Sequence, residues 1–184
     1  MGGEEIASAA FVVSVPLVGQ YKLENLSDGV LYCTVQKVSR EANKSAVSNG
    51  LSLKVSYTGE DGSAIDPSTL QQGSRFTATI KVVGDAVRDY GNLALSFPIA
   101  SGWEIVNDRL QGAALAEDGY DYKDIRDDRV NWFFALPAGR SKTFKLNLRA
   151  AYEGSYVRPA VVCNAMYEPT VNAATASGTA VVTR

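Results

Sequence analysis

The sequence predicts an all-β chain folded as an antiparallel two-sheet β-sandwich with little helix. Three observations carry that expectation. Short apolar runs recur at roughly regular spacing, each bounded by turn residues such as Gly, Pro, Asn and Asp. Several runs alternate strictly between apolar and polar residues, the period of a half-buried strand. No stretch holds the periodicity of a convincing amphipathic helix. Many short strands without helices to cover a parallel sheet are the pattern of a sandwich. The chain has 184 residues, 46% hydrophobic and 21% charged, enough for one domain with a real core, or one domain and an extension.

Taken in order, Met1-Gly2-Gly3 reads as an added start, and Phe11 to Val18 is β-rich, with Pro16 demoting its second half to an edge. Residues 1–24 are expected to be an N-terminal extension, or a strand carried over from a preceding domain, so that the chain is a piece of a longer protein. The sandwich is expected over 25–184. Tyr21 to Leu26 and Val30 to Val38 read as strands around a Ser27-Asp28-Gly29 turn, which makes Asn25 to Val38 a hairpin. Ser39 to Asn49 is polar and reads as a loop. Leu51, Leu53, Val55 and Tyr57 alternate with polar residues as a half-buried strand, and Thr58 to Gly73 is rich in turns. Phe76, Ala78, Ile80 and Val82 form the inward set of the strand from Arg75 to Val83.

Gly84 to Asp89 reads as a loop, Asn92 to Phe97 as a strand closed by Pro98, and Gly102 to Val106 as a short strand. Arg109 to Glu117 has room for a helical turn, and the charged stretch Tyr120 to Arg129 follows. Val130 to Leu136 is a buried strand stopped by Pro137-Ala-Gly139, and Lys142 to Ala150 alternates through Phe144, Leu146 and Leu148. Gly154 turns the chain into a strand over Ser155 to Cys163. The run from Ala160 leaves its sheet through Met166-Tyr167 and is expected to end at Pro169, which has no N–H for a central ladder. Asn172 to Ser177 is small and polar, and Thr179 to Thr183 is the last strand.

Composition excludes more than it suggests. There is no histidine, which removes the usual general base, the usual metal ligand and the Ser-His and Cys-His nucleophile pairs. The net charge of −2 provides no electrostatic footprint for nucleic acid or an anionic membrane. No run is apolar for long enough to be a transmembrane helix, so no direct membrane insertion is expected. Asp118, Asp121, Asp124, Asp127 and Asp128 lack the spacing of a calcium loop, and Lys123, Arg126 and Arg129 interleave with them. Asp124, Arg126, Asp127, Asp128 and Arg129 therefore read as an ion-pair turn rather than a metal site. Asp127 and Asp128, as strand neighbours, point to opposite faces and do not converge as catalytic carboxylates. Cys33-Thr-Val-Gln36 has the spacing of an internal thioester but lies in an expected strand, with no glycine before the cysteine. The reading is of a non-enzymatic chain with no cofactor and no metal.

Two pairs of residues stay open on the residues alone. Cys33 and Cys163 form one disulfide if they lie on neighbouring strands in an oxidising compartment; otherwise they are two buried small apolar residues. Met166 and Tyr167 set a soft thioether beside a large ring where the chain leaves the sheet, and they either plug their own core or cover something on a partner.

Gly102-Trp-Glu-Ile-Val-Asn-Asp-Arg-Leu110, Asp121 to Val130, Ala165-Met-Tyr-Glu-Pro169 and, earlier, Asp66-Pro-Ser-Thr-Leu-Gln-Gln-Gly73 occur in an order that resembles the C-terminal macroglobulin-like domain of bacterial alpha-2-macroglobulins. The resemblance covers roughly Gly29 to the end. It implies a macroglobulin or immunoglobulin-like sandwich inside a large protease trap, periplasmic or held at the cell envelope, some members being lipid-anchored. In that family a protease cuts a bait region, and a thioester in a separate domain then reacts with the protease. The resemblance implies that this sandwich meets the thioester domain of the same chain, and target proteases only indirectly. It also implies that Met166 and Tyr167 make the contact that keeps water from the thioester until cleavage. Cys33 and Cys163 depart from the family pattern, which often lacks a disulfide here. The rival expectation is a surface adhesion or carbohydrate-binding sandwich in which Trp103 or Tyr122 forms an exposed platform.

Overall fold

The computed structural model describes residues 22, 24–34, 36, 45–106 and 119–184. The chain divides into two compact units, Met1–Glu41 and Ala42–Arg184. Among its described residues the regular structure of the second unit is all β. Its strands are β1 (Val47–Asn49), β2 (Leu51–Gly59), β3 (Thr69–Gln71), β4 (Arg75–Gly84), β5 (Tyr90–Pro98), β6 (Trp103–Ile105), β7 (Tyr122–Ile125), β8 (Arg129–Leu136), β9 (Ser141–Ala150), β10 (Gly154–Arg158), β11 (Val162–Ala165), β12 (Glu168–Ala174) and β13 (Gly178–Thr183). They form a six-stranded sheet in the order β1-β12-β11-β5-β8-β7, a four-stranded sheet β2-β4-β9-β6, and a three-stranded sheet β10-β13-β3. Every pairing is antiparallel except β13 with β3.

Alternation decides which residues fill the space between the larger sheets. On β4, Phe76, Ala78, Ile80 and Val82 are buried; on β9, Phe144, Leu146 and Leu148 join them. The opposing sheet supplies Leu93, Leu95 and Phe97 from β5, Val130, Trp132, Phe134 and Leu136 from β8, and Cys163, Val171 and Ala173 from β11 and β12. Phe144 joins the two layers, its ring 4.8 Å from Phe134 and 5.5 Å from Trp132. In a second aromatic group near β6, Trp103 meets both Tyr57 and Phe76 edge to face, at 5.0 Å from Phe76, while Tyr57 and Phe76 are tilted to each other. Such edge contacts favour the positive ring edge against the negative face.

The expected all-β sandwich is therefore the observed architecture, with the third small sheet as an addition. Other expectations need correction. The described residues Val30–Thr34 and Gln36 carry no strand, and Tyr32 is 92% exposed. The expected hairpin over Asn25 to Val38 is thus absent there. Strand-forming composition takes effect on a half-buried surface, and Val30, Leu31 and Tyr32 are exposed. The turn itself is present: the Asn25 side chain accepts from the Ser27 amide and donates to the Gly29 carbonyl. Ser39 to Asn49 is not all loop, because β1 pairs with β12. The strand over Ser155 to Cys163 is divided. β10 belongs to the small sheet, β11 to the large one, and the chain changes sheets at Pro159-Ala160-Val161, where proline cannot donate to a ladder. Asn172 to Ser177 is partly strand, since β12 is held between β1 and β11. The run from Phe11 to Val18 and the helical turn at Arg109 to Glu117 lie outside the described residues.

Pro169 does not end its strand; it lies inside β12. Asn164 pairs with Asn172, but Ala165 pairs with Glu168, so Pro169, Thr170 and Val171 are accommodated between two successive pairs. A bulge is where a strand tolerates proline, because no ladder donor is needed there. Val171 turns its side chain into the core from this bulge.

Replacing the wedge between the sheets, Phe144→Ala, is expected to lower unfolding stability by about 3–5 kcal/mol. A urea titration followed by tryptophan fluorescence measures this, since Trp132 lies beside the cavity that would be left.

Candidate functional site

The β11–β12 hairpin brings Met166 and Tyr167 to one end of the large sheet. β11 lies between β12 and β5, and its alternation buries Cys163 and exposes Asn164. Only Met166 and Tyr167 separate β11 from β12. Two-residue hairpin turns usually need positive φ, yet no described residue other than glycine has it. The bulge that follows accommodates the mismatch, by letting β12 resume pairing in a shifted register. The Met166 amide donates to the Asn92 carbonyl of β5 at 2.9 Å, which continues the ladder one residue beyond the strand. Both side chains point away from the core: Met166 is 48% exposed and Tyr167 80%.

The neighbouring loops fix the base of this tip. Asp85 opens the β4–β5 connection as an Asx turn, its Oδ1 accepting from the amides of Val87 at 3.0 Å and Arg88 at 3.2 Å. Its Oδ2 lies 2.6 Å from the Tyr90 hydroxyl, which is also 3.1 Å from the Gly50 carbonyl. These bonds, the Tyr90 hydroxyl first, hold the Asp85 carboxyl below its ordinary range. Gly50 has φ of 70°, and a Cβ there would stand 2.9 Å from the Tyr90 hydroxyl, so glycine is required on both counts. Arg88 Nη1 reaches Glu168 Oε1 at 2.8 Å, with its guanidinium 5.1 Å above the Tyr90 ring. A depression of about 200 Å³ lies beside the tip, lined by Asp89, Tyr90, Asn92, Ala165, Tyr167 and Glu168 among others.

Two ion pairs lie at the β7–β8 connection. Arg126 pairs with Asp124 at 2.8 Å and Arg129 with Asp128 at 2.6 Å. The arginine in each pair holds its carboxylate below the ordinary range. Asn131 also donates to Asp124, while Asp127 has no ion-pair partner among the described residues. The backbone closes the turn, with the Arg126 amide donating to the Arg129 carbonyl. Among the described residues no three side chains of the His, Cys, Asp or Glu type converge as a metal ion would need.

Cys33 and Cys163 are both free thiols, Cys33 exposed and Cys163 buried on β11. Of the two rings that an adhesion module would present, Trp103 is 3% exposed and packs on Phe76. Tyr122 is exposed on the edge strand β7, leaning on Phe133 at 5.9 Å.

Asp85, Arg88 and Tyr90, beside the tip, do not stand out in the sequence as its neighbours. Asp85 two residues before Val87 is a turn signal visible in the sequence. That Arg88 would reach Glu168 is not visible, because 80 positions separate them.

Comparison with known proteins adds the following. Residues 50–170 match the model of the bacterial alpha-2-macroglobulin MG10 domain. An alpha-2-macroglobulin homolog of Yersinia pestis is 29% identical over 153 residues, covering 71% of this chain and 8% of that protein. The crystal structure of Salmonella alpha-2-macroglobulin reacted with methylamine superposes with a TM-score of 0.68 at 25% identity, over 77% of this chain and 10% of that one. A structure of native Escherichia coli alpha-2-macroglobulin, from domain MG7 to the C-terminus, gives 0.67 at 20% identity, over 76% of this chain and 24% of that one. This chain thus spans less than a quarter of each of these proteins.

Burial pushes the Cys163 thiol up from an ordinary 9.0 to about 12. In the native protein a thiol reagent at pH 8 is expected to label Cys33 and spare Cys163, both reacting in denaturant; mass spectrometry counts the adducts. Unfolding exposes an acid of ordinary strength, so the unfolded state binds fewer protons above 9. The Cys163 contribution to stability is therefore constant below that pH and lost as pH rises toward 12. Cys163→Ala should remove that part of the alkaline slope in a pH series of denaturant titrations.

Proposed function

The chain belongs to the bacterial alpha-2-macroglobulin family through its MG10 domain, and from that premise we propose that its Met166-Tyr167 turn seals the thioester of its parent protein against water. Domains of this kind are non-catalytic parts of protease inhibitors, and the related structures hold them within much larger chains. The proposed partner is the thioester domain of the same polypeptide, at the C-terminal side of a periplasmic or envelope-held protein that is in some cases lipid-anchored. Proteases are engaged by the parent as a whole.

One observation carries this reading. The core of the sandwich is closed without Met166 and Tyr167, yet the fold sets both side chains in the open at the turn between β11 and β12. A large ring and a thioether held outside a finished core are suited to cover an irregular apolar gap elsewhere. A thioester survives only where water is kept out. Burying such a side chain contributes about 1.5–3 kcal/mol from apolar area. A seal made by one turn is also readily broken, which a trap that must open on bait cleavage requires; a large interface would resist opening.

In the parent protein, Met166→Ala and Tyr167→Ala should each speed thioester loss, roughly tenfold or more if one buried side chain is removed from the closed state. Uptake of a small amine and appearance of free thiol measure the rate. Unchanged thiol release in the double variant, with the fold intact by circular dichroism, would sink the proposal.

A further inference from the structure

We infer that Arg88 and Glu168 are positioning residues for the Met166-Tyr167 turn, an ion-pair brace that fixes the pose in which this tip meets its partner. The inference rests on the sealing role for its purpose, though not for its geometry. The tip is weakly held by its own strand pair, because regular pairing lapses between Asn172 and Glu168 on β12. On the β5 side the backbone bond from Met166 to Asn92 reaches it. Glu168 is the first residue after the turn, so a bond to its side chain acts directly on the direction of Tyr167.

Arg88 supplies that bond at 2.8 Å, and Arg88 is itself anchored. Its amide donates to Asp85, its Nε lies 3.4 Å from the Tyr90 hydroxyl, and its guanidinium stacks on the Tyr90 ring. Tyr90 is buried, and its hydroxyl donates to Asp85 at 2.6 Å while lying 3.1 Å from the Gly50 carbonyl. A continuous path of polar contacts thus runs from the β1–β2 junction through Tyr90 and Arg88 to the residue beside the tip. Each Arg88–Glu168 partner is half-exposed, so the pair adds little to global stability. Its effect is local: it removes orientations from a turn whose ladder is interrupted.

The measurement is amide exchange at Met166 in this chain, compared with core amides such as Leu95, alongside thiol release in the parent protein. Arg88→Glu and Glu168→Arg should each raise Met166 exchange roughly three- to tenfold, leaving Leu95 unchanged. The double variant, which restores opposite charges, should return at least part of the protection. Arg88→Glu in the parent should speed thiol release, though less than Tyr167→Ala.

Unchanged Met166 exchange in the single variants, or a double variant no better protected than the two singles, would overturn the brace. Faster exchange with unaltered thiol release, where Tyr167→Ala does accelerate release, also overturns it, since the brace would then order the turn without serving the seal. If Tyr167→Ala leaves thiol release unaltered, the sealing role has failed instead. The charge-reversal pattern at Met166 then still supports or overturns the brace as the device that orients this turn.

Discussion

Phe144 inserted between Trp132 and Phe134 is the contact on which the sandwich depends. It joins the central strand pair of one sheet to the facing strand of the other, and both sheets must keep their inward sets in register around it. Because side chains alternate along a strand, fixing Phe144 inward fixes Leu146 and Leu148 inward, and antiparallel pairing carries the same phase to Phe76, Ala78 and Ile80 on β4. On the other sheet Trp132 and Phe134 set the phase of Leu93 and Leu95 on β5, which in turn sets Cys163 on β11. The outward direction of residues near the tip follows from this one interdigitation.

The parts of the fold legible in the sequence are those where alternation runs for several residues over a face that is then buried. β2, β4 and β9 meet that condition, and their inward residues are the expected ones. β1 and β3, at three residues each, are too short for any period to appear. β12 carries Pro169, Asn172 and small alanines, a poor strand by composition, and becomes one because β1 and β11 flank it on both sides. The Val30–Thr34 stretch departs in the opposite sense: good strand composition on exposed side chains.

The candidate site divides in the same way. Met166 and Tyr167 stand out in the sequence because a bulky apolar pair precedes a proline at a strand end. The charged turn is legible because Asp and Arg alternate within a few residues, and local pairs need no long-range information. Asp85, Arg88 and Tyr90 are not legible as parts of the tip, since their meaning depends on β5 and β12 both lying beside β11. Cys33 and Cys163 show the limit of spacing arguments, because burial of one thiol and exposure of the other come from packing that spacing does not encode.

The bulge at Pro169 has a consequence for how such a tip changes over time. Three residues of β12 are taken up between adjacent pairs, so the length and chemistry of the turn are separated from the alignment of the sheet behind it. A change in the turn need not pass into the strands, which would otherwise move every inward side chain outward. The hairpin is thereby an exchangeable fingertip on a fixed hand: its reach and shape can follow those of whatever surface it touches while the core stays as it is.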